Sequence, residues 1–137
     1  MTVTKQLDKL LARVEKPARY TGGELNSVKK ELSEIRTRFG FAFPDTYEIG
    51  MSYLGLQIIY HLLNQMDTVY CERVFAPASD MEALMRAENV PLFTLETKTP
   101  IRELDILGFT LQYELSFTNL INMLELGSIP VKSADRG

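Results

Sequence analysis

Three strand-length apolar runs, residues 36–43, 68–75 and 105–111, constrain this chain most, because each is followed by a stretch with helical spacing. Strands that alternate with helices across short connections build a parallel sheet with right-handed crossovers and helices on both faces. The order read from the sequence is β-α-β-α-β-α behind an N-terminal segment. Residues 105–111, Asp-Ile-Leu-Gly-Phe-Thr-Leu, are apolar nearly throughout. That pattern predicts a strand buried on both faces of the sheet. In the common doubly wound order 2-1-3, the first and third strands are neighbours. Ligands then sit beyond the carboxyl ends of the strands, which places loop 44–53 beside loop 111–116.

The helices follow from periodicity. Leu7, Leu10, Leu11 and Val14 predict a short amphipathic helix over 3–15, ended by Pro17 and Gly22-Gly23. Residues 16–24 have no period and read as an extended connector. Leu54, Ile58, Leu62 and Met66, joined by Ile59 and Leu63, leave only Gln57, His61, Asn64 and Gln65 as a polar stripe. A helix over 53–66 covered on most sides is expected. Ser79-Asp80-Met81-Glu82 has capping-box spacing and predicts a helix to about Glu88. Residues 91–95 read as a short extended piece and 100–104 as one helical turn. Phe117, Leu120, Ile121 and Leu124 mark the last helix, with Ser116 as its N-cap and Gly127 just past its end.

Composition limits the class. A chain of 137 residues with 45% hydrophobic and 24% charged residues buries a core without staples. One cysteine, Cys71, forms no internal disulfide and fits a reducing compartment. No run has the length of a membrane span, and Met1-Thr2-Val3-Thr4-Lys5 lacks the apolar centre of a signal peptide, so a cytoplasmic location is expected. The net charge of −3 is unevenly spread: residues 1–38 hold nine Lys or Arg against five Asp or Glu. A basic arm over 1–35 before an acidic α/β domain over 36–137 is the expected organisation. Two readings of the arm stand: it docks on its own body, or Lys5, Lys9, Arg13, Lys16 and Arg19 contact nucleic acid. Against the second, it lacks the interleaved aromatics of single-strand binders.

The most distinctive corner is Asp45-Thr46-Tyr47-Glu48-Ile49-Gly50, between the first strand and its helix. It resembles the Asp-x-His-x-x-Gly loop of cobalamin-binding domains, with tyrosine in the histidine position, and residues 105–110 resemble their third strand. Over most of its length the chain resembles the N-terminal region of radical S-adenosylmethionine proteins that carry a B12-binding-type domain. The resemblance is carried by Lys16-Pro17-Ala18-Arg19-Tyr20-Thr21-Gly22-Gly23-Glu24, Met51-Ser52-Tyr53-Leu54-Gly55-Leu56-Gln57, Arg73-Val74-Phe75-Ala76-Pro77 and Gly108-Phe109-Thr110-Leu111-Gln112-Tyr113-Glu114-Leu115-Ser116. It extends to residues 129–136.

The resemblance implies a doubly wound parallel sheet of flavodoxin-like, B12-binding-like Rossmann type, incomplete at its C-terminal side. It implies a cofactor crevice lined by Asp45, Tyr47, Glu48, Gly50, Thr110, Gln112, Tyr113 and Glu114. Cobalamin is the cofactor implied for this segment. A [4Fe-4S] cluster and S-adenosylmethionine are implied for a downstream barrel, held by a Cys-x-x-x-Cys-x-x-Cys motif that this chain does not contain. That barrel of the same protein is the implied partner. Histidine in the loop would ligate cobalt, whereas a neutral phenol is a poor ligand. Tyr47 then either packs beneath a corrin ring without ligating it, or caps the crevice in a domain that positions the barrel or its substrate.

Other residues carry less chemistry. His61 lacks a partner at metal-ligand spacing. Cys71, in a strand beside Glu72, reads as an inert thiol. Asp45, Glu48 and Glu114 form an acidic cluster if the two loops converge, and otherwise are solvated loop acids. If the third strand is left at a sheet edge, self-association through that edge is expected.

Overall fold

The computed structural model describes residues 3–136. Met1, Thr2 and Gly137, which end the two expected segments, lie outside the described residues. Nine-residue α1 (Val3–Leu11) is followed by a connector, then β1 (Thr37–Phe43), α2 (Tyr47–Met51), α3 (Leu54–Asn64), β2 (Val69–Phe75), α4 (Ser79–Glu88), β3 (Ile106–Phe109) and α5 (Ser116–Leu126). The sheet is three-stranded and wholly parallel, in the order β2-β1-β3. Register aligns Phe41 with Arg73 on one side and with Gly108 on the other. This is the doubly wound α/β arrangement expected of the sequence.

Alternation along β1 and β2 divides the core. Ala42 and Val74 face α1, α4 and α5, where Leu7, Leu10, Met81, Met85, Ile101, Met123 and Leu126 pack together. Phe41, Phe43, Cys71 and Phe75 face α3 and pack with Leu56 and Tyr60. The leucines of α1 therefore lie in the same core as the sheet. No helix is long and apolar enough to cross a membrane among the described residues.

Two faces differ from expectation. On α3 the buried residues are Leu56 (0% exposed) and Tyr60 (4%), whereas Leu54 (69%), Ile58 (49%), Leu62 (54%) and Met66 (55%) face outward. The sheet here is narrow, so α3 lies against β1 and β2 with only one stripe. The 105–111 strand shortens to Ile106–Phe109 and is an exposed or half-exposed edge, not a strand buried on both faces. Its second neighbour, the partner that a doubly buried strand requires, is absent among the described residues.

Caps also differ. Ala78, not Ser79, is the N-cap of α4, and Glu82 bonds to Arg86 and Asn122 instead of closing a capping box. Leu115, not Ser116, is the N-cap of α5. The 3–15 helix ends at Leu11.

The two edges of the sheet are treated unequally. Along β2, Asn64 closes the outward backbone of Cys71 like a short strand: its amide accepts from the Cys71 N–H at 3.0 Å and donates to the Cys71 carbonyl at 2.9 Å. The Arg73 N–H donates to Glu96 at 2.8 Å, its carbonyl accepts from Leu95 at 2.8 Å, and the Val69 carbonyl accepts from Lys30 Nζ at 2.7 Å. No strand lies beyond β3 among the described residues. An exposed strand edge is a template for pairing with another chain.

Candidate functional site

The strand-to-helix corner after β1 is a tight turn. Asp45 donates its N–H to Phe43 O at 2.8 Å, its carboxylate accepts the Thr46 N–H at 2.7 Å, and its carbonyl accepts from Ala76 at 2.9 Å. Thr46 ends in an extended conformation and α2 begins at Tyr47, so what reads as a loop contains a short helix. Gly50, buried in α2, allows that helix onto the sheet: a Cβ there would lie 2.2 Å from the Phe75 ring.

Tyr47 is partly buried. Its ring meets Phe75 edge-on, with centroids 5.6 Å apart, and its hydroxyl donates to Glu24 Oε1 at 2.6 Å. Burial, followed by the Glu24 carboxylate, pushes the Tyr47 hydroxyl up to about 12. Glu24 belongs to the connector, which crosses the carboxyl end of β2 as a strap. Arg19 Nε donates to Glu48 at 2.8 Å, and the Tyr20 hydroxyl accepts the Ala78 N–H at 3.1 Å. Gly22 and Gly23 both have positive φ, 66° and 85°, which turn the strap down so that Glu24 enters the body.

What Glu24 meets there is Arg73, 1% exposed. Its Nη2 donates to Glu24 Oε2 at 2.8 Å and its Nε to Glu96 Oε1 at 2.6 Å. The guanidinium carbon lies 4.7 Å from the centroid of the Tyr60 ring. A planar guanidinium suits two carboxylates at its rim and an aromatic on its face. Burial opposes charge on Glu24, but the Tyr47 hydroxyl and Arg73 outweigh it and hold its carboxyl below the usual range. Burial dominates at Glu96 and raises it. Burial also lowers Lys98, whose Nζ donates to the Thr21 and Leu95 carbonyls.

A second buried cluster lies on the opposite face of β2. Glu72, 0% exposed, pairs with Arg38 and accepts from the Thr94 hydroxyl at 2.8 Å and the Thr97 N–H at 3.1 Å. Sequence reasoning missed Glu24, Arg73, Glu96 and Glu72 as a group. One signal was present: Glu72 and Arg73 are adjacent in an otherwise apolar strand, so alternation sends one charge to each face. A charge on a buried face needs a built partner.

The remaining expected site residues are dispersed. Glu48 pairs with Arg19 and, at 3.9 Å, with Lys16. Thr110 continues β3 by donating its N–H to Ala42 O at 3.2 Å, and the Gln112 amide turns back to the Thr110 hydroxyl. Tyr113 and Glu114 are exposed. Loop 44–53 is tied instead to α5, where the Asn119 Nδ2 donates to Pro44 O at 2.8 Å. No hydrogen bond joins Asp45, Tyr47 or Glu48 to Gln112, Tyr113 or Glu114 among the described residues. His61 is exposed beside Gln65, and burial pushes the Cys71 thiol up to about 12. No metal-binding group of His, Cys, Asp and Glu is present among the described residues.

No curated protein and no solved structure matches the chain. Residues 55–137 match the family of radical SAM proteins, N-terminal region. The matched span begins inside α3 and includes β2, with Arg73, the Glu96 turn, β3 and α5. It covers more than half of the 137 residues, and the chain therefore belongs to the radical SAM protein family, as its N-terminal region.

Proposed function

We propose that this region serves a radical SAM protein as a positioning domain, one that docks and orients the catalytic part and holds no corrin cofactor. The observation that carries the reading is the Tyr47 hydroxyl, committed to Glu24 at 2.6 Å beneath a strap that crosses the corner. Cobalt ligation from the protein needs a free lone pair on a good donor. Tyr47 is a neutral phenol whose proton is engaged, and Arg19 and Tyr20 stand over the carboxyl end of β2. These residues do not fit cobalamin. Nor do they fit an iron–sulfur cluster, which takes several thiolates. The one cysteine, Cys71, is buried in β2. In this reading the cluster and S-adenosylmethionine belong to the catalytic part.

Titration of the purified chain with hydroxocobalamin is expected to leave the cobalamin visible spectrum unchanged and to give no saturable heat. A saturable spectral shift that is lost in Tyr47→Ala would restore the alternative, a corrin resting on the Tyr47 ring.

The β3 flank supports a docking role. Ile106 on β3, Leu111, Tyr113 and Leu115 after it, and Phe117 and Ile121 on α5 are all 42% to 72% exposed. Exposed apolar residues gathered beside an open strand edge mark an interaction surface. The isolated chain is expected to self-associate through that edge, with sedimentation velocity showing concentration-dependent species that Ile106→Lys reduces. A clean monomer at high concentration would remove this surface from the proposal.

A further inference from the structure

The strap is fixed at both ends and lightly held in the middle. Before it, Leu7 and Leu10 of α1 are in the core. After it, two tyrosines grip one residue: the Val28 N–H donates to the Tyr60 hydroxyl at 2.7 Å, and the Tyr70 hydroxyl donates to the Val28 carbonyl at 2.9 Å. Between these anchors, Tyr20 is the one buried apolar side chain. The other ties are polar: Arg19 to Glu48, Lys98 to the Thr21 carbonyl at 2.9 Å, and Glu24 to Tyr47 and Arg73. A segment with few buried apolar contacts opens before the core does.

The Glu24 tie differs from the others because both of its donors are preset. Arg73 is held by Glu96 and Tyr60 without help from the strap, and Tyr47 is held by α2 and Phe75. Their Nη2 and hydroxyl converge on the two oxygens of one carboxylate, at 2.8 and 2.6 Å. Withdrawal of Glu24 leaves both donors in place. Arg73 and Lys98 then face one carboxylate, Glu96, in this cluster, so the vacated position favours an anion. Beside it, beneath Arg19 and Tyr20, is a small cavity of about 20 Å³ lined by Tyr47, Phe75, Met85, Leu92 and Phe93.

We propose that Tyr47 and Arg73 form a carboxylate-binding seat, which Glu24 fills as the latch of a lid made by the strap. A free carboxylate competes with Glu24 for the seat, and its binding releases the strap from the corner. This inference stands apart from the positioning role, since it concerns only what the corner recognises.

Glu24→Ala empties the seat in the otherwise intact chain, and acetate is the probe. Hydrogen exchange by mass spectrometry is expected to show strap amides, residues 18–23, losing about tenfold or more of their protection, the worth of a hydrogen bond to a charged group. Amides of β1 and β2 should keep theirs. Acetate should raise the melting temperature of Glu24→Ala above that in chloride at matched ionic strength, and addition of Tyr47→Phe should weaken that gain. If acetate and chloride act alike, or if strap and core amides lose protection together, the seat is overturned. Should Glu24→Ala fail to fold, Glu24→Gln keeps the shape without the charge. It is expected to free the strap amides alone, and unchanged protection there would equally refute the latch.

Discussion

Arg73→Met is expected to destabilise this domain by about 3–5 kcal/mol, the cost of breaking a buried pair from one side. The removed charge leaves Glu96, with 3% of its side chain exposed, and the inner end of Glu24 without their hydrogen-bonded ion-pair partner. Methionine fills much of the volume and can lie against Tyr60, so the loss is electrostatic more than a loss of packing. For a domain of this size the change corresponds to a fall in melting temperature of about 10–20 °C. Urea denaturation monitored by circular dichroism measures it, and Arg73→Met combined with Glu96→Gln should recover part of the loss. A variant as stable as the parent would show that Arg73 does not organise the corner.

The second large effect separates two faces of one helix. Leu56→Ala is expected to cost about 2–5 kcal/mol, because a fully buried leucine leaves a cavity under α3. Leu54→Ala, two residues away and 69% exposed, is expected to change stability by no more than about 0.5 kcal/mol. Periodicity alone assigns the reverse, since Leu54 belongs to the four-residue apolar row and Leu56 does not. Equal losses at the two positions would mean that α3 sits on the sheet in another rotation.

That contrast shows what the residues disclose on their own. The alternation of strands and helices and the strand order were legible, because a two-residue period in strands and a 3.6-residue period in helices survive in any tertiary setting. Which apolar stripe of α3 turns inward was not, because both stripes are apolar and only the width of the sheet selects one. The strand-to-helix turn between Phe43 and Tyr47 was legible, but the partners of its side chains were hidden. Glu24, Arg73 and Glu96 are separated by 49 and 23 residues, and no local spacing couples them. The tyrosine at position 47 was visible as a departure from a metal-ligating pattern. Its compensation, a carboxylate brought in by the strap, became visible only once Gly22 and Gly23 were seen to turn the chain inward.

The Asn64 side chain that imitates a strand alongside Cys71 has a consequence for assembly. Together with Glu96 and Lys30 it occupies outward donors and acceptors on the β2 side, so a further strand can join this sheet only at β3. Growth by strand addition is then one-directional and ends after a single event: a copy that joins through β3 presents a sealed edge on its far side. Pairs are permitted by this geometry, and a propagating ribbon is not.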